Sequence, residues 1–152
     1  MKSIVLAGWK WDGNAISIIR TADALGFDKV IILGRQATRK KFISGKSLRW
    51  DGKYKPKVVF FDTPEEILAY LKGRGYNLVC MELDDRACSI QEFKWCRNPA
   101  IIVGHENTGV PKILREDADY FVMLPMRGDV RCLNVSCAAS IAIYDYTFKN
   151  EP

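Results

Sequence analysis

Three short stretches hold most of the residues whose types and spacing suit the handling of a ligand. In the first, Asn14-Ala15-Ile16-Ser17-Ile18-Ile19-Arg20-Thr21-Ala22, an amide and a guanidinium lie six residues apart among apolar neighbours. A guanidinium in such company needs a partner, either a carboxylate of the protein in a buried salt bridge or a group from outside. In the second, Gly104-His105-Glu106-Asn107-Thr108-Gly109-Val110-Pro111, an apolar run opens into a turn whose two glycines let backbone approach a ligand closely. In the third, Leu133-Asn134-Val135-Ser136-Cys137-Ala138-Ala139-Ser140, small residues at a helix start permit tight packing.

Other routes to chemistry are closed by composition. His105 is the only histidine, so a two-histidine metal site is impossible and imidazole catalysis would rest on this residue alone. The five cysteines, Cys80, Cys88, Cys96, Cys132 and Cys137, are odd in number and form no Cys-x-x-Cys pair. Neither a disulfide framework nor a metal site is expected. Gly73-Arg74-Gly75 is the one G-x-G, but it falls between a helix and a following strand, the wrong side for cradling a pyrophosphate. There is no Walker A sequence, and Arg127-Gly128-Asp129 is a chance match to an adhesion tripeptide.

The frame that must position the three loops is legible in the apolar runs. Ser3 to Ala7, Lys29 to Leu33, Lys57 to Phe61, Asn77 to Met81, Ala100 to Val103 and Tyr120 to Leu124 read as strands buried on both faces. A helix is expected from Ala15 to Leu25, capped by Asn14 and ended by Gly26. Thr63-Pro64-Glu65-Glu66 starts another, with a capping residue, a proline suited to the first turn and a glutamate to close the box. Ser89 with Glu92 repeats that signal weakly, and the last helix runs from after Asn134 toward Phe148. Strand and helix alternation argues for a mostly parallel α/β sheet with helices on both faces. At 152 residues, 48% hydrophobic and 27% charged, the chain is expected to form a single domain, residues 1–152. No apolar run approaches the roughly 20 residues that span a bilayer, and no signal peptide is recognisable, so a cytoplasmic location is expected.

Charge is segregated. The net charge is +5, yet the segment from Arg35 to Lys57 alone carries nine basic residues against Asp51, which leaves the remainder mildly acidic. Phe42, Trp50 and Tyr54 are interleaved with those bases, a combination suited to stacking on unpaired bases while cations hold phosphates. A solvated loop whose aromatics tuck onto the core is the alternative.

Taken together, Asn14 with Arg20-Thr21-Ala22, Gly104-His105-Glu106-Asn107-Thr108-Gly109, and Cys132-Leu133-Asn134-Val135-Ser136-Cys137-Ala138-Ala139 resemble, in order, the three motifs of the SpoU (TrmH-like) branch of the SPOUT RNA methyltransferases. The resemblance runs from the first strand to the last helix. It implies an α/β domain with a C-terminal trefoil knot, an exception to the usual topology rules. It further implies that S-adenosylmethionine is held in that knot by Met81, Glu82, Gly104, Leu124, Pro125, Met126, Cys132 and Leu133. A homodimer is also implied, with active sites built from both subunits. Ala138, Ala139 and Ala142 would suit close packing across its interface, or equally packing within the chain.

The activity implied is methyl transfer to a ribose 2′-hydroxyl of RNA, with tRNA preferred over ribosomal RNA. A catalytically silent protein of the same fold that binds S-adenosylmethionine and RNA is the alternative. Arg20 resembles the family's catalytic arginine. A guanidinium with pKa above 12 is a poor base, so holding phosphate and stabilising a developing alkoxide is its physically safer role. Asn14 and Asn134 would orient the ribose or Arg20, and Glu106 would pair with Arg20 or cap backbone amides. His105 could act as base or stand incidentally at a variable motif position. Cys132 departs from the family's usual serine and replaces a hydroxyl by a larger, weaker thiol. Many relatives carry flanking RNA-binding extensions; without one, Lys10, Arg39, Lys40, Lys41, Lys46 and Arg49 are the RNA-contact candidates.

Overall fold

A computed structural model describes residues 1–9, 12–34 and 57–150. The six apolar runs form strands β1 (Ser3–Leu6), β2 (Lys29–Leu33), β3 (Lys57–Phe61), β4 (Asn77–Met81), β6 (Pro99–Val103) and β7 (Tyr120–Met123), joined by a two-residue strand β5 (Cys88–Ser89) at one edge. They make a single sheet in the order β3-β2-β1-β6-β4-β7-β5, in which every pairing is parallel. Parallel strands need crossovers, and the crossovers lay helices over both faces. Along β1 the side chains therefore alternate between two cores. Ile4 and Leu6 join one and Val5 the other, all fully buried, each such side chain stabilising the fold by roughly 1.5–3 kcal/mol.

Helices α1 (Asp12–Ala24) and α4 (Val135–Asn150) cover the first core. Ala139, Ala142 and Ile143 are completely buried there, so two of the three small residues serve packing within the chain. Helices α2 (Pro64–Lys72) and α3 (Lys112–Glu116) cover the second through Ile67, Leu71 and Leu114. The capping box at α2 is complete: Thr63 Oγ1 accepts from the Glu66 amide at 3.2 Å, and Glu66 Oε2 accepts from the Thr63 amide at 3.2 Å.

Two expected helix starts are corrected. Helix α1 begins at Asp12, so Asn14 lies inside its first turn and does not cap it. The far end is as expected: Gly26, at φ +69°, closes a Schellman motif in which the Phe27 amide donates to Ala22 O at 2.8 Å and the Gly26 amide to Asp23 O at 3.2 Å. Ser89 and Glu92 start no helix. The Glu92 and Phe93 amides both donate to Ser89 O in one turn that goes no further. Phe93 and Trp95, two residues apart, are both buried in the first core. Trp95 then latches α4, donating from Nε1 to Asp145 Oδ2 at 2.8 Å, while Lys149 Nζ reaches Ile90 O at 2.6 Å and Asp145 at 3.0 Å. Among the described residues no helix is long and apolar enough to cross a membrane.

Candidate active site at the C-terminal edge of the sheet

All strands point the same way, so the loops that leave β4, β6 and β7 converge at one edge, where open α/β sheets bind ligands. A cleft of about 360 Å³ lies there. Met81, Glu82 and Leu83 line it from β4, Val103 to Gly109 from β6, and Val122 to Leu124 with Met126 from β7. The approach to α4 closes the last wall with Arg131, Cys132, Leu133, Val135 and Ala138.

The loop after β6 is built by backbone contact. His105 and Gly109 exchange two backbone hydrogen bonds of 3.1 and 2.8 Å, folding the loop back on itself. A Cβ at Gly104 would overlap the backbone of Gly109 and Val110, so no other residue fits. Gly109 sits at φ +69°, and a Cβ there would meet Glu82 Oε1 at 2.5 Å. Glu82 Oε2 in turn accepts from the Val110 amide at 2.9 Å. The carboxylate thus holds the turn in place as well as facing the cleft.

Glu106 carries the site's polar logic. Its Oε1 accepts from Asn14 Nδ2 at 2.7 Å, which explains why Asn14, 7% exposed, is tolerated inside a helix facing the core. Its Oε2 is buried and has no hydrogen-bond donor among the described residues. His105 Nδ1 lies 4.0 Å from that oxygen and accepts from the Asn107 amide at 3.1 Å, which places a neutral imidazole's proton on Nε2. Beneath the site the Cys80 thiol is pushed from its ordinary 9.0 up to about 12, first by burial and then by the charge of Glu82.

Seven of the eight residues assigned to the cofactor line this cleft, as does Glu106; Pro125 is exposed and does not. Arg20 is neither buried nor at the cleft of its own chain. It is exposed on α1, and Glu106 pairs with Asn14 instead of with it. Asn134 also lies off the cleft lining: its Oδ1 accepts from the Ser136 amide at 2.9 Å and the Ser136 hydroxyl at 2.6 Å, capping α4. Lys10, Arg39, Lys40, Lys41, Lys46 and Arg49 lie outside the described residues. Sequence reasoning passed over Leu83 and Arg131, which line the cleft. Their only signal was adjacency to assigned positions.

Comparison with known proteins agrees with this geometry. The SpoU rRNA Methylase family model matches residues 1–144. A 23S rRNA (guanosine-2′-O-)-methyltransferase, RlmB, of Acinetobacter baylyi is 32% identical over 133 residues, covering 87% of this chain and 53% of that protein. A tRNA (guanosine(18)-2′-O)-methyltransferase of Escherichia coli is 32% identical over 135 residues, covering 87% and 56%. The chain thus spans about half the length of these curated relatives. Among solved structures, the SpoU methyltransferase AviRb from Streptomyces viridochromogenes in complex with the cofactor AdoMet superposes with a TM-score of 0.75 at 25% identity, covering 97% of this chain and 59% of that one. With a match over nearly its whole length and the three motif loops meeting or bracing a single cleft, the chain belongs to the SpoU methylase family.

Proposed function

We propose that this chain is an S-adenosylmethionine-dependent RNA methyltransferase that modifies a ribose 2′-hydroxyl, with tRNA as its substrate. The observation that carries the reading is the convergence of the β4, β6 and β7 loops with the approach to α4 on one cleft, whose backbone a Cβ at Gly104 would obstruct. That cradle suits a flat adenine, and the apolar walls from Met81, Val103, Val122 and Leu133 suit its faces. Met81, Glu82, Gly104, Leu124, Met126, Cys132 and Leu133 would hold the cofactor, which when bound supplies an electrophilic methyl on sulfur.

The chain's own residues do the rest. Glu106 Oε2, a buried acceptor without a donor among the described residues, receives the hydrogen bond of the incoming hydroxyl, while Asn14 fixes the other oxygen and so the direction of the carboxylate. Asn134 holds the start of α4 and with it the Cys132–Leu133 wall. Arg20 holds a substrate phosphate and stabilises developing alkoxide charge at the cleft of a partner copy. Its exposure on α1 supports this, as do Ile141, Tyr144 and Phe148, 42%, 57% and 62% exposed on the neighbouring α4, which suit a homodimer. A C-terminal trefoil knot belongs to the same proposal, supported by a chain that leaves β7 and returns to a helix packed on α1 and β6. Lys10 and the bases Arg39, Lys40, Lys41, Lys46 and Arg49 are the proposed RNA contacts.

The test is transfer of labelled methyl from S-adenosylmethionine into unmodified tRNA and, separately, ribosomal RNA, followed by digestion to nucleosides. A 2′-O-methylnucleoside formed from tRNA by the parent and lost in Arg20→Ala is expected; label in ribosomal RNA alone would reassign the substrate. Cys132, exposed in the cleft wall where the family usually has serine, favours a second reading as a silent binder. Cofactor binding without transfer to either RNA would decide for it.

A further inference from the structure

Arg131 is a permanent cation on the cleft wall with no anionic partner among the described residues. Its side chain is exposed, it lines the cleft, and among the described residues no hydrogen bond or salt bridge engages it. The cleft's two acids do not neutralise it: Glu82 is engaged by the Val110 amide and Glu106 by Asn14. They enter from the exits of β4 and β6, while Arg131 enters from the approach to α4. The cleft therefore has a polarity, with carboxylates on the strand-end walls and one guanidinium on the wall before the helix.

We propose, resting on the methyltransferase reading above, that Arg131 binds the carboxylate of the amino-acid end of S-adenosylmethionine and so sets the direction in which the cofactor lies. The cofactor carries a single anionic group and two cationic ones, the sulfonium and the ammonium. A guanidinium attracts the first and repels the others, and its planar fork matches a carboxylate with two parallel hydrogen bonds. The opposite orientation would set the neutral adenine against Arg131 and bring the carboxylate toward Glu82 and Glu106, leaving the guanidinium without an anion and placing like charges together at the strand-end walls.

The test is calorimetric binding of S-adenosylmethionine and of its decarboxylated analogue, which keeps both cationic groups, to the parent, Arg131→Gln and Arg131→Lys. Arg131→Gln is expected to weaken S-adenosylmethionine by about tenfold, the scale of one solvent-exposed charged hydrogen-bond pair, and to leave the analogue unweakened, since losing the guanidinium only relieves repulsion of its two cations. Arg131→Lys, which keeps the charge without the fork, is expected to fall between. Equal losses for both ligands, or no loss for either, would overturn the assignment. So would an unchanged cofactor affinity with weakened RNA binding, which would make Arg131 a phosphate contact. A parent protein that binds neither ligand would sink the methyltransferase reading, and this inference with it.

Discussion

Gly104→Ala is the most informative single change to the cleft. The added Cβ would overlap the backbone of Gly109 and Val110, which unlike a flexible side chain cannot swing aside. Relief requires the loop to move, and movement opens the two hydrogen bonds between His105 and Gly109 and strains the Glu82 bond to the Val110 amide. Overpacking costs about 1–3 kcal/mol, and each weakened hydrogen bond adds about 1 kcal/mol. A total of about 4–6 kcal/mol is expected if the loop stays folded, a fall in Tm of roughly 8–24 °C for a domain of this size. If the loop instead shifts outward, stability falls less, and affinity for S-adenosylhomocysteine drops by at least about thirtyfold, equivalent to roughly 2 kcal/mol. Thermal melting and calorimetry on one sample read both routes. Gly128→Ala is the matched control, since a Cβ there meets nothing within 4 Å. A Gly104→Ala protein that melts and binds like the parent would refute the close-approach argument.

Three further outcomes follow from geometry. In a double-mutant cycle, Asn14→Ala and Glu106→Ala should couple by about 1–3 kcal/mol in urea unfolding, because each leaves the other's buried polar atom unpaired; additive effects would mean that their 2.7 Å bond contributes nothing. The raised Cys80 pKa keeps that thiol neutral in the folded state while the unfolded chain ionises above its ordinary 9.0, so stability falls as pH rises from 9.0 toward about 12. Cys80→Ala should flatten that alkaline slope by up to ~1.4 kcal/mol per pH unit, and parallel slopes would count against it. Finally, S-adenosylhomocysteine should slow alkylation of Cys132 and leave Cys88 and Cys137 as reactive as before, all three being exposed but only Cys132 lining the cleft. Peptide mapping that finds all three equally reactive with and without ligand would move the ligand elsewhere.

The parallel sheet could be read from sequence because each long strand is apolar on both faces, and the start of α2 because its capping box is local chemistry. Strand β5 escaped because two residues carry no period, and α3 because five residues behind Pro111 carry too little pattern. The motif loops were legible as stretches, but their internal wiring was not. That Asn14 turns to Glu106, 92 positions away, and that Glu82 steadies Gly109 and Val110, depend on which strand ends lie side by side. The order β1-β6-β4 sets this, and local spacing does not encode it. Arg20 looked buried because its sequence neighbours are apolar, whereas Ile18 and Ile19 take the inward face of α1 and turn it outward.

The Trp95–Asp145–Lys149 latch has a consequence for the order in which the protein becomes competent. One wall of the cleft is the approach to α4, and α4 is secured at its far end by residues 90 to 95, made some fifty positions earlier. A chain complete through β7 has the walls from β4, β6 and β7 and lacks the last one. That last wall therefore depends on contacts that only a chain reaching Lys149 can make.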